Sequence, residues 1–271
     1  MFEEFAFHVL RAVIGLVLLS PGLLLIIVAE RLWGRFRKNL FGKAARTDYC
    51  FLLLGTFYGG ILHFFGTLIG AVFAVEFLGL GETPFFIGEL SITVQLLAVL
   101  ILRDLFIYVR HRLFHSRSLW PFHAVHHSSE QVNWLSTARF HPIEALIEVA
   151  LDILLFALLG AHADVAIVAS LVIGFNNFLI HSDLPWSYGP FRFILVSPLL
   201  HRWHHSKEKS AANKNFAAMF SFLDLILGTF YMPRDRYPEK VGIPKIFGVV
   251  PEEFVSQLAY PFREYFLKHK D

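Results

Sequence analysis

Five apolar segments constrain this chain more than any other feature. They run over about residues 9–29, 50–75, 90–109, 143–159 and 165–180, each close to the length an α-helix needs to cross a hydrocarbon layer. A sequence with 55% hydrophobic and 17% charged residues is too apolar for a soluble domain of 271 residues, so lipid must cover part of it. The first segment is read as a span and not as a cleaved signal. Glu3 and Glu4 precede it, where a signal carries basic residues, and Arg31, Arg35, Arg37 and Lys38 follow it. The fourth segment holds Glu144, Glu148 and Asp152 and meets the fifth through a short turn at 160–164, so this pair is expected either to span or to form a re-entrant hairpin. The fold class expected is therefore all-α, an integral membrane protein with about four to five transmembrane or re-entrant helices.

Charge sets the orientation. The loop 30–48 carries six basic residues, whereas 76–89 has three glutamates and no Lys or Arg. The first loop is thus expected in the cytosol, and counting crossings returns the chain there after Val109 and after Ile180. The net charge of +2 with only 24 Lys+Arg argues against a nucleic-acid partner. Cys50 is the single cysteine, which excludes an intrachain disulfide and thiolate-ligated zinc or iron–sulfur centres. No repeat or linker breaks the chain. One structural domain is expected, with N-terminal membrane helices over 1–90, a catalytic region over 91–235 and a C-terminal cytosolic tail over 236–271.

Of fourteen histidines, eleven fall between His111 and His205. His111 and His115 lie one helical turn apart after the third span, with Asp104 and Tyr108 on the same side below them. His123, His126 and His127 form an H-x-x-H-H figure in which the spacings of three and four stack rings on one helical face. The adjacent third ring points about 100° away, an arrangement that serves two metals. His201, His204 and His205 repeat the figure. All three clusters are expected at cytosolic helix ends, in a helical cap. His181, four residues after Asn177 at the end of the fifth span, faces the same layer and is favoured as a further ligand. His141 precedes Pro142 and either hydrogen-bonds at a helix start or joins the ligands. The isolated His8, His63, His162 and His269 are read as hydrogen-bonded or interfacial side chains.

Eight or nine imidazoles exceed what one ion takes, so two metals are implied. Neutral imidazole suits iron among the redox metals that bind O2, and the carboxylate set of soluble di-iron bundles is missing. Asp104 is a candidate to orient a ligand N–H, unless it pairs with Arg103 or Arg110.

The stretch from about Leu96 to Met232 resembles the fatty acid hydroxylase and sterol desaturase superfamily of membrane di-iron enzymes. The resemblance rests on 104–115, on 122–129, on Asn177 to His181, on 201–206, on Asn213-Lys214-Asn215-Phe216 and on 223–230. It implies that His111, His115, His123, His126, His127, His181, His201, His204 and His205 bind two iron ions, with O2 as co-substrate. Some members carry a histidine where this chain has Asn177, so that position is expected to act at most through water. Members oxidise fatty acyl chains, sterols, carotenoids, ether lipids or alkanes. A membrane lipid is the expected substrate, and hydroxylation is favoured over desaturation.

With no Gly-rich dinucleotide fingerprint, haem-attachment motif or flavin domain, electrons are expected from a separate carrier, cytochrome b5-like or ferredoxin-like. Arg31 to Arg46, Lys207, Lys209 and Lys214 either dock such a donor or face anionic head groups. The membrane would be a bacterial inner membrane or the endoplasmic reticulum. The alternatives are a histidine-rich metal transporter or sensor, which would place its ligands near mid-span, a bis-histidine haem carrier, and a zinc hydrolase.

Overall fold

A computed structural model describes residues 20–35, 42–79, 87–234, 236–244 and 247–268. The start of the first apolar segment, His8 and His269 lie outside them, as does the side chain of His63. Residues 20–33 are helical (α1). There follow α2 (Lys43–Val72), which continues into a π-helical turn over Phe73–Phe77, then α3 (Ile92–Phe114), α4 (Trp120–His127), α5 (Pro142–Leu159), α6 (Ala163–His181), α7 (Pro198–His204), α8 (Phe222–Ile226) and α9 (Phe254–Lys268). Among the described residues the fold is all-helical, with a lone antiparallel bridge between Ser206 and Val241. Among the described residues, three helices are long and apolar enough to cross a membrane: Gly59–Phe77, Ile92–Phe114 and Ala163–His181.

Helix α3 illustrates how composition sorts the faces. Leu97, Ile101, Leu105, Val109 and Leu113 recur every four residues and are exposed, while Leu100, Asp104, Ile107 and Tyr108 are buried. An exposed apolar stripe of this length is stable only against lipid.

Long-range contacts fix how the helices run. Gly22 lies against Phe175 and Glu30 accepts from the Asp183 N–H, so α1 runs parallel to α6 toward the end where α3 also terminates. At the opposite end the Ile87 N–H donates to Leu159 O and the His162 N–H to Gln95 Oε1. His162, whose Nε2 meets Gly88 O, is a structural side chain there, as its isolation implied. The pair α5–α6 thus covers the same depth as α3 and turns at Gly160, whose φ of 59° a glycine adopts without strain. Of this pair, α6 is among the helices long and apolar enough to cross a membrane and α5 is not. Two of the three carboxylates on α5 are paired with the arginines of α3, and the third, Glu144, meets a histidine. Arg103 is 2.5 Å from Asp152 and Arg110 is 2.7 Å from Glu148. Charges at this depth are stable only when paired.

Helix α2 packs on α5 through two glycines one turn apart. A Cβ on Gly70 would stand 2.6 Å from Ala150 O, and one on Gly66 2.7 Å from Val149 Cγ1. Small residues at this seam let the backbones approach where no hydrophobic force drives association. Gly70→Leu is therefore expected to destabilise the fold by about 1–3 kcal/mol, whereas Gly60→Leu, at a position with open space around it, leaves stability within about 0.5 kcal/mol. Unfolding of the two variants in detergent checks the contrast, and equal effects would contradict the seam.

The segment after α6 departs from the expectation of a cap confined to one end of the bundle. Ala218, Met219 and Phe220 pack against Val99, Leu100, Ile107, Ala169 and Ile173, well down the spans. The anchor is Asp104, whose carboxylate accepts from the N–H groups of all three residues. Asp104 lies about 16 Å along α3 from His115 at an ordinary helical rise. The chain descends there because its own residues are apolar, with Phe191, Ile194 and Ile226 exposed at 63%, 51% and 75% beside it.

Candidate metal centre

The histidine layer closes the end of the bundle where α1, α3 and α6 finish. Nine of the expected histidines meet in two groups, each with its ligand nitrogens within 4.8 Å of one another. His111, His115, His123, His127 and His204 form one, and His126, His181, His201 and His205 the other. The two H-x-x-H-H figures divide between them in opposite senses. Helix α4 sends the pair His123 and His127 to the first group and His126 to the second. Helix α7 sends His201 and His205 to the second and His204 to the first. Neighbours in sequence diverge as helical geometry requires: the His126 and His127 rings are inclined at 88°, and those of His204 and His205 at 86°. The groups abut, with the His127 and His205 ring centres 4.4 Å apart.

Both short helices are fixed at their starts. Pro121 occupies the first turn of α4, Pro198 that of α7, and Ser197 Oγ accepts from the Leu200 N–H.

Hydrogen bonds on the outer ring nitrogen orient most of the imidazoles. The Nδ1 atoms of His111, His126, His181 and His204 meet the carbonyl oxygens of Phe216, Arg139, Asn177 and Lys214 at 2.8, 3.2, 2.8 and 2.8 Å. His123 Nδ1 meets Glu144 Oε1 at 2.6 Å, and His115 Nδ1 meets Asn213 Oδ1 at 3.3 Å. A carbonyl oxygen accepts only, so Nδ1 carries the proton in those four rings and Nε2 of the neutral ring presents a lone pair. Yet His126 Nε2 stands 3.1 Å from His181 Nε2. Two lone pairs at that distance repel unless a cation lies beside both.

Protonation is not the remedy. Burial first, then the charges of His181 and His204, hold His126 well below the ordinary histidine value. Burial likewise brings His204 down to about 4. Within the first group, His111 Nε2 and His115 Nε2 are buried without a hydrogen-bond partner. Other Nε2 pairs, His127 with His123 and with His204, His201 with His181 and with His205, are 3.0 to 3.1 Å apart. Metal–nitrogen bonds of about 2.1 Å at right angles place two imidazole nitrogens about 3.0 Å apart. The donor set therefore fits metal ions, and it lies at the ends of the spans, not at their middle.

The other sequence candidates divide differently. Asp104 touches no histidine. Two turns of helix separate it from His111, and both its oxygens are spent on the 218–220 backbone. It acts at one remove with Asp224, which accepts from the Phe216 and Ala217 N–H groups and so steadies the carbonyl facing His111. Asn177 contributes its backbone carbonyl. His141 stands outside both groups. It caps α5, accepting from the Ile143 N–H through Nδ1, while Nε2 meets Leu258 O. Of the basic residues considered for docking, Lys207 pairs with Glu130 and Lys214 donates to Gly228 O.

Sequence reasoning gives Glu144 no part in the histidine site and names it only as one of three acids in the fourth apolar segment. Its signal was the row Glu144, Glu148, Asp152 at helical spacing in an apolar segment, since the acid nearest the histidines is the one a ligand ring uses. The buried pair of Arg139 with Asp48, 2.6 Å apart across 91 residues, left no local signal.

Residues 96–229 match the model of the fatty acid hydroxylase family. These residues belong to the fatty acid hydroxylase family. The hydroxylase domain thus begins within α3 and ends after α8, and encloses all nine histidines. An ornithine lipid hydroxylase of Rhizobium tropici is 37% identical over 62% of this chain and 50% of its own length. An alkylglycerol monooxygenase of Danio rerio is 32% identical over 59% of this chain and 35% of its own length. A very-long-chain aldehyde decarbonylase of rice is 27% identical over 58% of the chain and 59% of its own length. The aligned stretches thus cover half of the first relative and about a third of the second. No solved structure matches the chain significantly. The matched residues share their family with lipid hydroxylases, three helices among the described residues are long and apolar enough to cross a membrane, and the histidine groups could hold metal.

Proposed function

We propose that this protein hydroxylates a C–H bond of a membrane lipid with O2, using two iron ions held by His111, His115, His123, His127 and His204 on one side and His126, His181, His201 and His205 on the other. The supporting observation is the gathering of nine imidazoles into two contiguous groups, with Nε2 lone pairs facing each other at 3.1 Å in the second and unpartnered Nε2 atoms on His111 and His115 in the first, an arrangement that metal ions at both would satisfy. Iron bound there supplies O2 reduction and the oxidation of an unactivated C–H. The balance is R–H + O2 + 2 e⁻ + 2 H⁺ → R–OH + H2O. The residues hold the nitrogens in position, and the backbone carbonyls and Glu144 keep the Nδ1 protons outward so that every Nε2 so constrained faces inward. In this reading electrons come from a separate carrier protein, and the basic residues between α1 and α2 support a cytosolic histidine layer, at a bacterial inner membrane or the endoplasmic reticulum.

Hydroxylation is preferred to desaturation because two of the relatives are named for it, a lipid hydroxylase and a monooxygenase. The experiment is reconstitution with lipid extracts, reductant, a ferredoxin or cytochrome b5 and ¹⁸O-labelled O2, followed by product mass analysis. A labelled alcohol is expected. A new double bond without retained label would replace hydroxylation by desaturation, and no O2-dependent product from an iron-loaded protein would overturn the oxidase reading.

A further inference from the structure

A cavity of about 530 Å³ opens onto the first histidine group, with His115, His127 and His204 in its wall. Its other walls come from beyond the spans. Arg117 and Trp120 follow the end of α3, Asn213 follows α7, and Phe247 and Glu264 belong to the C-terminal part of the chain. Nothing lining it lies inside the three apolar crossings. Its size suits a compact polar group with a short apolar extension and not a complete two-chain lipid.

The lining carries one charge of each sign, Arg117 and Glu264, together with the amide of Asn213 and the hydroxyl of Ser206. Arg117 has no ion-pair partner among the described residues. The rim is apolar. Phe247 is exposed at its edge, Val249 is 80% and Val255 73% exposed, and Phe262 lies two turns from Val255 on the same face of α9. Gln257 and Tyr260, between them, are buried on the opposite face. A helix of this pattern rests at the membrane interface with its apolar face in the acyl boundary. A lipid can pass from such a rim into the cavity head first.

Resting on the oxidation proposed above, we infer that the cavity receives the polar head of a zwitterionic lipid, and that the C–H bond presented to the first histidine group lies in or beside that head and not along the acyl tail. Arg117 would take the carboxylate or phosphate of the head and Glu264 its ammonium. Trp120 and Phe247 would flank the carbons between head and chain.

Binding is measured on the purified full-length protein in detergent by native mass spectrometry, with four probes: an ornithine-based acyl amide with free ammonium and carboxylate, phosphatidylethanolamine, phosphatidylglycerol and dioleoylglycerol. At least one of the two zwitterionic probes is expected to be retained about tenfold more tightly than the anionic and neutral ones, a difference of about 1.4 kcal/mol. Arg117→Glu should abolish that preference, Arg117→Lys should keep most of it, and Glu264→Gln should weaken retention of the ammonium-bearing probes. Arg117 is exposed, so its two replacements leave the core untouched, and the selectivity of the unaltered protein is a test that needs no variant. In turnover, fragmentation of the product should locate the added oxygen in the head or on the carbon next to it. Equal retention of all four probes, or a hydroxyl far along the acyl chain, would overturn the assignment. Zwitterionic selectivity without any O2-dependent product would sustain the cavity's ligand class and refute the oxidation instead.

Discussion

His126→Ala is expected to lower bound iron from about two ions per chain to one or fewer and to reduce turnover by more than about 100-fold, since even the residues behind metal ligands are worth about 10- to 100-fold. The ring sits where three constraints meet. Its Nε2 is 3.1 Å from that of His181, its Nδ1 is tied to Arg139 O, and its face stacks on Phe140 with centres 4.5 Å apart. Alanine removes one of only four nitrogens in the second group. It also leaves the Arg139 carbonyl without its ring partner. Metal analysis of anaerobically purified protein, run beside the lipid assay, reads both losses. A fully active His126→Ala protein with two irons would refute the metal assignment.

The second large effect is expected far from any ligand. Asp48, at the start of α2, accepts from Arg139 Nε at 2.6 Å, and both side chains are almost wholly buried, at 1% and 3% exposure. The Arg139 guanidinium also donates to Ser128 Oγ and Ala44 O. Removing one partner of a buried ion pair strands the other charge, at a cost of about 3–5 kcal/mol, whereas replacing both by apolar residues costs far less. Asp48→Ala should therefore lower stability by that amount, and Asp48→Ala combined with Arg139→Met should recover most of the loss. The single variant should also shed metal, because the backbone carbonyl of Arg139 orients His126. Unfolding in detergent together with iron content decides the matter. A single variant as stable as the parent would show that the guanidinium reaches water, contrary to its burial.

These two sites mark how far reading the chain could reach. The helical faces of α3, α4 and α7 were legible because ligand spacing is local. Residues three or four apart must share a face of any helix, so H-x3-H and H-x-x-H-H announce themselves before a fold exists. The division of each H-x-x-H-H figure between two groups followed from the same rotation per residue. Asp104 was misjudged for a related reason. Periodicity put it on the same side of α3 as His111, but it carries no information on how far along the helix the metal layer lies or on what packs at that depth. The structure uses Asp104 to hold 218–220 in the bundle.

By itself, the sequence determined that the chain is helical and membrane-embedded, that its histidines gather at helix ends, and that two faces of each short helix are available for metal. Each of these depends on hydropathy or on spacing within one helix. Only the tertiary structure decided that Glu144 and four backbone carbonyls point the rings, that Asp48 reaches Arg139 across 91 residues, that His141 is a cap, and that a cavity with both signs of charge opens beside His115. Those features arise where segments distant in sequence meet, and a contact between distant segments is set by the packing of the whole bundle, which leaves no periodic trace in either partner alone.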